Sequence, residues 1–433
     1  MTRFLAFLAI VLCSTAAPLA ARPSAAEQRM LATVDAEQGR TLALLEKLVN
    51  QNSGSLNLAG VEAVAKMVRA EFEPLGFEVR WIPLKQTGRA GHFVAHHRGK
   101  GKRLLLIGHL DTVFEPDSPF QRWRREGNFG HGPGAADDKG GVVTMIAALR
   151  AMKAAGTLAG ADVTVFLTGD EEDVGLPLAQ ARGDLIAAGK TADIALDFEG
   201  LSIDGGKDMG VVARRGSMNW TVTATSKPAH SSGIFSAASG YGAAYELARI
   251  LDGFRRELTD DKLTYNVGLM AAGNQAALDA DRIRLTGSGK TNIIAAQAIA
   301  RGDLRALTLA QLDRTQAKMR AIVAASLPGT SATVTFDEDA YPPMAATAGS
   351  RALLVKLNRV NADLALAPQA ELDPLKRGAG DISFVAGDVD GLIGLGPASS
   401  GDHTAEERVV IDSIWRQAKR AAILMSRLGA EKR

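Results

Sequence analysis

The sequence predicts an α/β protein: a mixed sheet covered by helices on both faces, interrupted by a smaller α+β unit of the split-βαβ, two-layer kind. Three observations predict it. Strands that run almost without a polar break alternate with helical stretches, the texture of strands buried on both faces. In the middle of the chain the order changes to β-α-β-β-α-β, which a small two-layer unit needs. The third is length, since 433 residues exceed what one hydrophobic core normally supports.

The elements follow in order. Arg3, an apolar run over 4–12 and small residues over 13–21 form the pattern of a cleavable secretory signal, assigned to 1–25. The run is shorter than the roughly 20 residues that span a bilayer. An exported chain, periplasmic or secreted, with no membrane span after processing is therefore expected. Cys13 lies in this segment, and the bulky Leu12 before it argues against lipid attachment. Over 26–76, Leu42, Leu45 and Val49, then Val61, Val64, Met67, Val68 and Phe72, recur at spacings of three and four, which predicts helices around a Gly/Ser/Asn loop at 51–57. Strands are expected at 77–81, 91–95, 103–108, 162–168 and 194–198, with helices at 141–155 and 176–188. The inserted unit, 214–338, reads as strand 218–226, helix 237–258, strand 265–271, a strand over 284–305 with a kinked middle, helix 309–325 and strand 331–337. A helix over 351–361 and a strand over 392–395 then return to the larger unit, which comprises 26–213 and 339–433.

Composition narrows the chemistry. With 46% hydrophobic and 23% charged residues the chain is globular rather than disordered. Lys and Arg number 50 against 48 Asp and Glu, a net +2 too weak to favour a nucleic-acid or anionic-membrane partner. The single cysteine excludes disulfide scaffolds, thiolate metal sites and cysteine nucleophiles, so any metal must be held by His, Asp and Glu.

Five acidic or imidazole segments follow expected strands or sit in Gly-rich loops, where open α/β sheets place their ligand sites. The apolar strand 104–108 ends in His109-Leu110-Asp111, so Asp111 can accept from one ring nitrogen of His109 while the other binds a metal. Gly132-Pro133-Gly134-Ala135-Ala136-Asp137-Asp138-Lys139-Gly140-Gly141 enters a helix but lacks the order of a phosphate-binding loop, which excludes the nucleotide reading. Asp170-Glu171-Glu172-Asp173 follows strand 163–167. Four consecutive acids are usually a solvated turn, yet like charges beside an apolar strand repel unless a cation compensates. Asp197-Phe198-Glu199 repeats the apolar-then-acidic pattern, and Asp402-His403 lies far along the chain. His92, His96 and His97 read as part of a solvated hairpin before the basic run 98–103, and His131 is given no role.

In the order His109, Asp137, Glu171-Glu172, Glu199, His403, these motifs resemble the dizinc aminoacylase/carboxypeptidase superfamily, over essentially the whole processed chain. The similarity is closest to the glutamate carboxypeptidase (carboxypeptidase G) type, related to acetylornithine deacetylase and succinyl-diaminopimelate desuccinylase. The resemblance implies two divalent ions, zinc first and cobalt or manganese also fitting the donor set. Asp137 would bridge them, with Glu172 and His403 on one and His109 and Glu199 on the other. Two such ions, three carboxylates and a bridging hydroxide sum to neutrality. Glu171 would be the general base for hydroxide attack on an amide bond, with Asp111 orienting His109. It further implies that the larger unit is catalytic and that the inserted unit dimerises, with His230 presented to the partner's site to stabilise the oxyanion. Asn292, Arg305 and Arg377 would bind substrate, the guanidinium of Arg305 suiting a carboxylate. The expected reaction removes a C-terminal, glutamate-type amino acid from a peptide or N-acyl amino acid. An N-acyl amino acid deacylase or dipeptidase acting on the same bond, and a binding protein with a dead site, are the alternatives. Two segments depart from the family pattern: Arg377-Gly378-Ala379-Gly380-Asp381 lacks the usual hydroxyl residue before the acid, and Asp173-Val174-Gly175-Leu176-Pro177 replaces a commoner Gly-Ser.

Overall fold

The computed structural model describes residues 23–433, so the expected signal lies almost wholly outside the described residues. Helices α1 (Ala25–Ala36), α2 (Gln38–Val49) and α3 (Leu58–Phe72) open the chain. Ser24 and Glu27 form a reciprocal capping box on α1, and the Asn57 side chain caps α3 at Gly60 N. Strands β1 (Glu78–Pro83), β2 (Gly91–His97) and β3 (Arg103–His109) follow, then α4 (Lys139–Ala154), β4 (Asp162–Thr168), α5 (Leu178–Thr191) and β5 (Ile194–Asp197). They build a six-stranded sheet in the order β1, β2, β4, β3, β5, closed by the short strand Gly391–Leu392.

Strand β3 shows why the apolar runs were needed. Leu104 and Leu106 join the core on one face, while Leu105 and Ile107 join the core on the other. The two neighbours of β3, strands β4 and β5, are both parallel to it. Their carboxyl ends, each followed by an acidic loop, therefore open side by side at one edge of the sheet.

The inserted unit has a core of its own, drawn from Trp220 to Phe336. Its main strands β6 (Met218–Ser226), β7 (Leu269–Gly273), β8 (Gln297–Arg305) and β9 (Thr330–Phe336) are antiparallel, and α6 (Ala243–Glu257) and α7 (Leu309–Ala324) complete it. Along β6, Trp220, Val222 and Ala224 are buried in that core while Thr221, Thr223 and Thr225 point away, the alternation of a sheet covered on one side. The chain enters and leaves through an antiparallel ribbon: Ser217 and Tyr341 exchange backbone hydrogen bonds of 3.0 and 2.9 Å, and Arg214 and Met344 do the same at 2.9 Å.

Three local expectations are corrected. Helix α6 begins at Ala243 rather than 237, because Gly240 and Gly242 take φ of +65° and +81° ahead of it. The stretch 284–305 is two strands, Leu285–Ser288 and β8, separated by a loop that contains Asn292. His92 is not in a solvated hairpin: its ring is fully buried within β2, and Nε2 lies 2.8 Å from the Ala181 carbonyl. Helix α8 (Ala348–Asp363) overlaps the expected helix, and α9 (Ile411–Gly429), not assigned from the sequence, packs against α4 beneath the sheet. No helix of the described residues is long and apolar enough to cross a membrane.

Candidate active site

Three of the site loops are extensions of adjacent parallel strands. His109 ends β3, Glu171 and Glu172 follow β4, and Glu199 follows β5. Asp137 comes from the loop entering α4, and His403 from a distant loop in which its own backbone is left-handed at φ +64°. A non-glycine residue held there carries backbone strain, a recurrent feature of functional loops.

Asp137 is the centre of the arrangement. Its Oδ1 lies 2.9 Å from His109 Nε2 and its Oδ2 lies 3.3 Å from His403 Nε2, so each carboxylate oxygen faces one imidazole. Glu172 completes the second side, 3.2 Å from His403 Nε2. The other ring nitrogen of His109 faces Asp111, 3.2 Å from its carbonyl and 3.4 Å from its carboxylate, which fixes the ring orientation. Asp111 also accepts the backbone N–H groups of Glu171 and Glu172, both at 3.0 Å, and the Ser55 hydroxyl at 2.6 Å. One buried carboxylate thus positions a histidine and both glutamates.

The acidic run 170–173 is divided rather than solvated. Asp170 turns inward to Arg182 at 2.6 Å, Glu171 and Glu172 face the site, and only Asp173 turns outward, to Arg89 at 2.7 Å. Lys139 is fully buried and donates to the carbonyls of Gln51 and Pro133 at 3.0 and 3.3 Å, so it shapes the Asp137 loop and is not free to meet a phosphate.

Electrostatics fit a cationic occupant. Burial pushes Glu171 well above the carboxylate range and Glu172 up to about 7. Hydrogen bonds to Asp137 and Glu172 lift His403 to about 11, and His109, despite its burial, is raised well above an ordinary imidazole by Asp111 and Asp137. The carboxylates therefore draw positive charge onto whatever stands between them. Ligand atoms of His109, Asp137 and Glu172 lie within 4.8 Å of one another, and the Oδ1 atom of buried Asp138 beside them has no hydrogen-bond partner. Oxygen and imidazole donors without sulfur suit zinc, cobalt or manganese.

Glu199 is held differently. Arg214 Nη1 donates to it at 2.9 Å and Arg377 Nη2 at 3.1 Å, and these two guanidinium groups keep its pKa low against the effect of burial. Arg214 also donates to the carbonyls of Gly378, at 2.6 Å, and Ala379, which ties the 377–381 loop to the site. Asp137, Glu171, Glu199 and His403, together with Arg214, Lys376 and Arg377, line a cavity of about 280 Å³.

Not every expected residue is there. His230 and Asn292 come together in the inserted unit, where Ser231 N donates to the Asn292 carbonyl at 2.9 Å and the His230 ring bonds the Ser232 hydroxyl at 2.8 Å. Neither lines the cavity. Arg305 ends β8 near the connecting ribbon and pairs with Asp303 at 3.0 Å. Roughly 25 Å of strand separates it from Asn292, so one chain does not bring these two to a single ligand. Sequence reasoning missed Arg214 and Glu407. The Glu407 carboxylate accepts the backbone N–H groups of Ala136 and Asp137 at 3.0 and 3.3 Å and so anchors the central loop. Arg214 lies in no recognisable motif; Glu407 stands four residues after His403 in the same acidic segment, and only the fold shows its carboxylate turned to the central loop.

Both the sequence and the fold have known relatives. Carboxypeptidase G2 of Pseudomonas sp. (strain RS-16) is 35% identical over 169 residues, 38% of this chain and 39% of that protein. Succinyl-diaminopimelate desuccinylase of Leptothrix cholodnii is 30% identical over 201 residues, 44% and 51% of the two chains. These alignments span about two fifths to one half of the curated relatives. Among solved structures, aminopeptidase PepT from Bacillus cereus superposes with a TM-score of 0.69 at 18% identity, over 90% of this chain and 98% of that one. The M20 family metallo-carboxypeptidase Sso-CP2 from Sulfolobus solfataricus gives 0.63 at 17%, over 90% and 99%. A model of peptidase family M20/M25/M40 matches residues 105–427, three quarters of the sequence, and the chain belongs to that family.

Proposed function

We propose that the chain is a metal-dependent exopeptidase or amidohydrolase that releases a C-terminal amino acid, glutamate-type, from a peptide or N-acyl amino acid. The observation that carries this reading is Asp137, whose two carboxylate oxygens each face one imidazole while Glu171 lines the same cavity and forms no ion pair among the described residues. His109, Asp137, Glu172, Glu199 and His403 would hold two divalent ions, which when bound polarise a carbonyl oxygen and make water a stronger nucleophile. Glu171 takes the proton from the attacking water and delivers it to the leaving amide nitrogen, a task suited to a carboxyl whose pKa is raised by burial. Asp111 holds His109 and both glutamates in register through these steps. Arg214 and Arg377 steady Glu199, and Arg377, whose buried Nε has no hydrogen-bond partner among the described residues, gives the cavity a donor that suits an anionic substrate.

A deacylase or dipeptidase reading stands on the same residues, and the desuccinylase and carboxypeptidase relatives together favour carrying it. The 377–381 loop, where this chain departs from its family, is where the two readings would differ. The small-residue pattern of 1–25 supports export to the periplasm or beyond. Strand β9 at the edge of the inserted sheet supports a homodimer through that unit. In such a dimer His230 and Asn292 would serve the partner subunit's site, while Arg305, at the ribbon end of β8, would serve its own.

The test is Glu171→Gln in zinc-loaded protein, assayed against dipeptides, N-acyl amino acids and glutamyl conjugates. Metal content stays at the wild-type level and turnover falls by about 10² or more. Retained turnover would remove Glu171 from the base role.

A further inference from the structure

We infer that Tyr341, held by the buried Arg182, is a positioning residue for Glu171 that ties the base to the ribbon joining the two units; this rests on the reading of Glu171 as the base. The Tyr341 hydroxyl donates to the Glu171 carbonyl at 2.7 Å and accepts from Arg182 Nη2 at 3.2 Å. It is the residue whose backbone pairs with Ser217 where the inserted unit leaves the larger one. A displacement of that unit therefore reaches the base loop through one side chain.

The support behind Tyr341 is built to be rigid. Arg182 is completely buried, donating through Nη1 to Asp170 Oδ1 at 2.6 Å and through Nε to Asp381 Oδ1 at 2.8 Å. Its Nη2 also reaches the Asp170 carbonyl at 3.0 Å, and the second oxygen of Asp381 accepts from the Thr168 hydroxyl at 2.5 Å. A buried cation so enclosed has no second arrangement of similar energy, because any rotation leaves a buried carboxylate unpaired. The Phe384 ring packs on Tyr341 at 4.9 Å, with the guanidinium 5.4 Å above Phe384. Asp170 and Glu171 are neighbours in sequence, so the same guanidinium fixes one end of the base loop directly and, through Tyr341, the carbonyl of the base itself. Arg214, on the facing strand of the ribbon, grips Glu199. Both sides of the site are thereby tied to the ribbon.

Tyr341→Phe keeps the ring against Phe384 and removes only the hydroxyl. The expected result is a kcat lower by roughly five- to tenfold, the worth of one hydrogen bond, with KM and metal content unchanged. In metal-free protein, backbone amide exchange over 169–176 becomes faster while exchange in β3 and α4 is unchanged. The exchange readout does not use turnover. If Glu171→Gln remained active, the base reading would fall while the exchange result still tested the contact. Unchanged kcat with unchanged exchange would overturn the inference, as would a lower kcat accompanied by general destabilisation and no selective loosening of 169–176.

Discussion

Asp111→Asn is the substitution on which the geometry makes its most specific demand. Burial alone raises the Asp111 carboxyl, but the hydrogen bonds from His109, Ser55 and the Glu172 N–H outweigh it and keep the group below its ordinary value, hence ionised at neutral pH. One oxygen accepts the Glu171 N–H and faces His109, and the other accepts the Glu172 N–H and the Ser55 hydroxyl. An asparagine of the same shape has one accepting oxygen. With its NH2 toward Ser55 the hydroxyl can turn and accept, yet the Glu172 N–H is left facing a donor. The opposite orientation orphans the Glu171 N–H. The cost is one buried unsatisfied donor plus the lost charge on the remaining bonds, together about 2–4 kcal/mol. That loss falls on the loop carrying Glu171 and Glu172, so zinc affinity measured by competition with a chelator falls about 10- to 100-fold. The urea midpoint of the metal-free protein falls with it. Wild-type zinc affinity together with an unchanged midpoint would refute the account of Asp111 as the residue that positions this loop.

Two further predictions follow. Gly380→Ala would place a Cβ 2.0 Å from Arg214 Nη1 and 2.5 Å from Glu199 Oε1, an overpacking worth about 1–3 kcal/mol that pushes Arg214 off the glutamate. Gly378→Ala, two residues earlier, meets nothing within 4 Å, so kcat/KM drops by about tenfold or more in the first variant and holds in the second. At the far end of β3, hydrogen bonding to Arg103 lowers the Asp193 carboxyl from 3.8 to about 2. A depressed folded-state pKa gives stability that is present above the unfolded value near 3.8 and is lost as pH falls through about 2. The pair is only half-buried and screened by solvent, so Asp193→Asn costs about 0.2–1 kcal/mol at pH 6, and the difference from wild type, followed by denaturant titration, narrows as pH falls from 3.8 and closes below pH 2.

The strands at the centre of the sheet were legible because a strand buried on both faces must be apolar throughout, and the acidic residues after β3, β4 and β5 announced the site at their carboxyl ends. The inserted unit was legible for the same reason in a weaker form, through β6 and its alternation of Trp220, Val222 and Ala224 with threonines. Helix α9 was equally readable, with Ile411, Ile414, Trp415, Ala418 and Ala422 at helical spacing, and went unassigned. What a sequence does not display is pairing across the fold. Arg182 meets Asp381, 199 positions away, and Tyr341, 159 away. Arg214 meets the 378–379 carbonyls more than 160 positions on. An isolated arginine or tyrosine outside any motif reads as surface until the strands beside it are ordered. The same holds for His92, whose neighbours His96 and His97 and basic run suggested solvent while the partner of its ring, Ala181, lies 89 residues on.

Asp137, set between His109 and His403, would help hold two divalent ions. Metal stoichiometry by elemental analysis, on wild type and on Asp137→Ala after equilibration with zinc and removal of the excess, tests it most directly. The account predicts two ions per chain in wild type, and in the variant loss of tight binding at both positions together with loss of turnover. Two ions retained by Asp137→Ala, or full turnover by a wild-type chain stripped of metal, would contradict it.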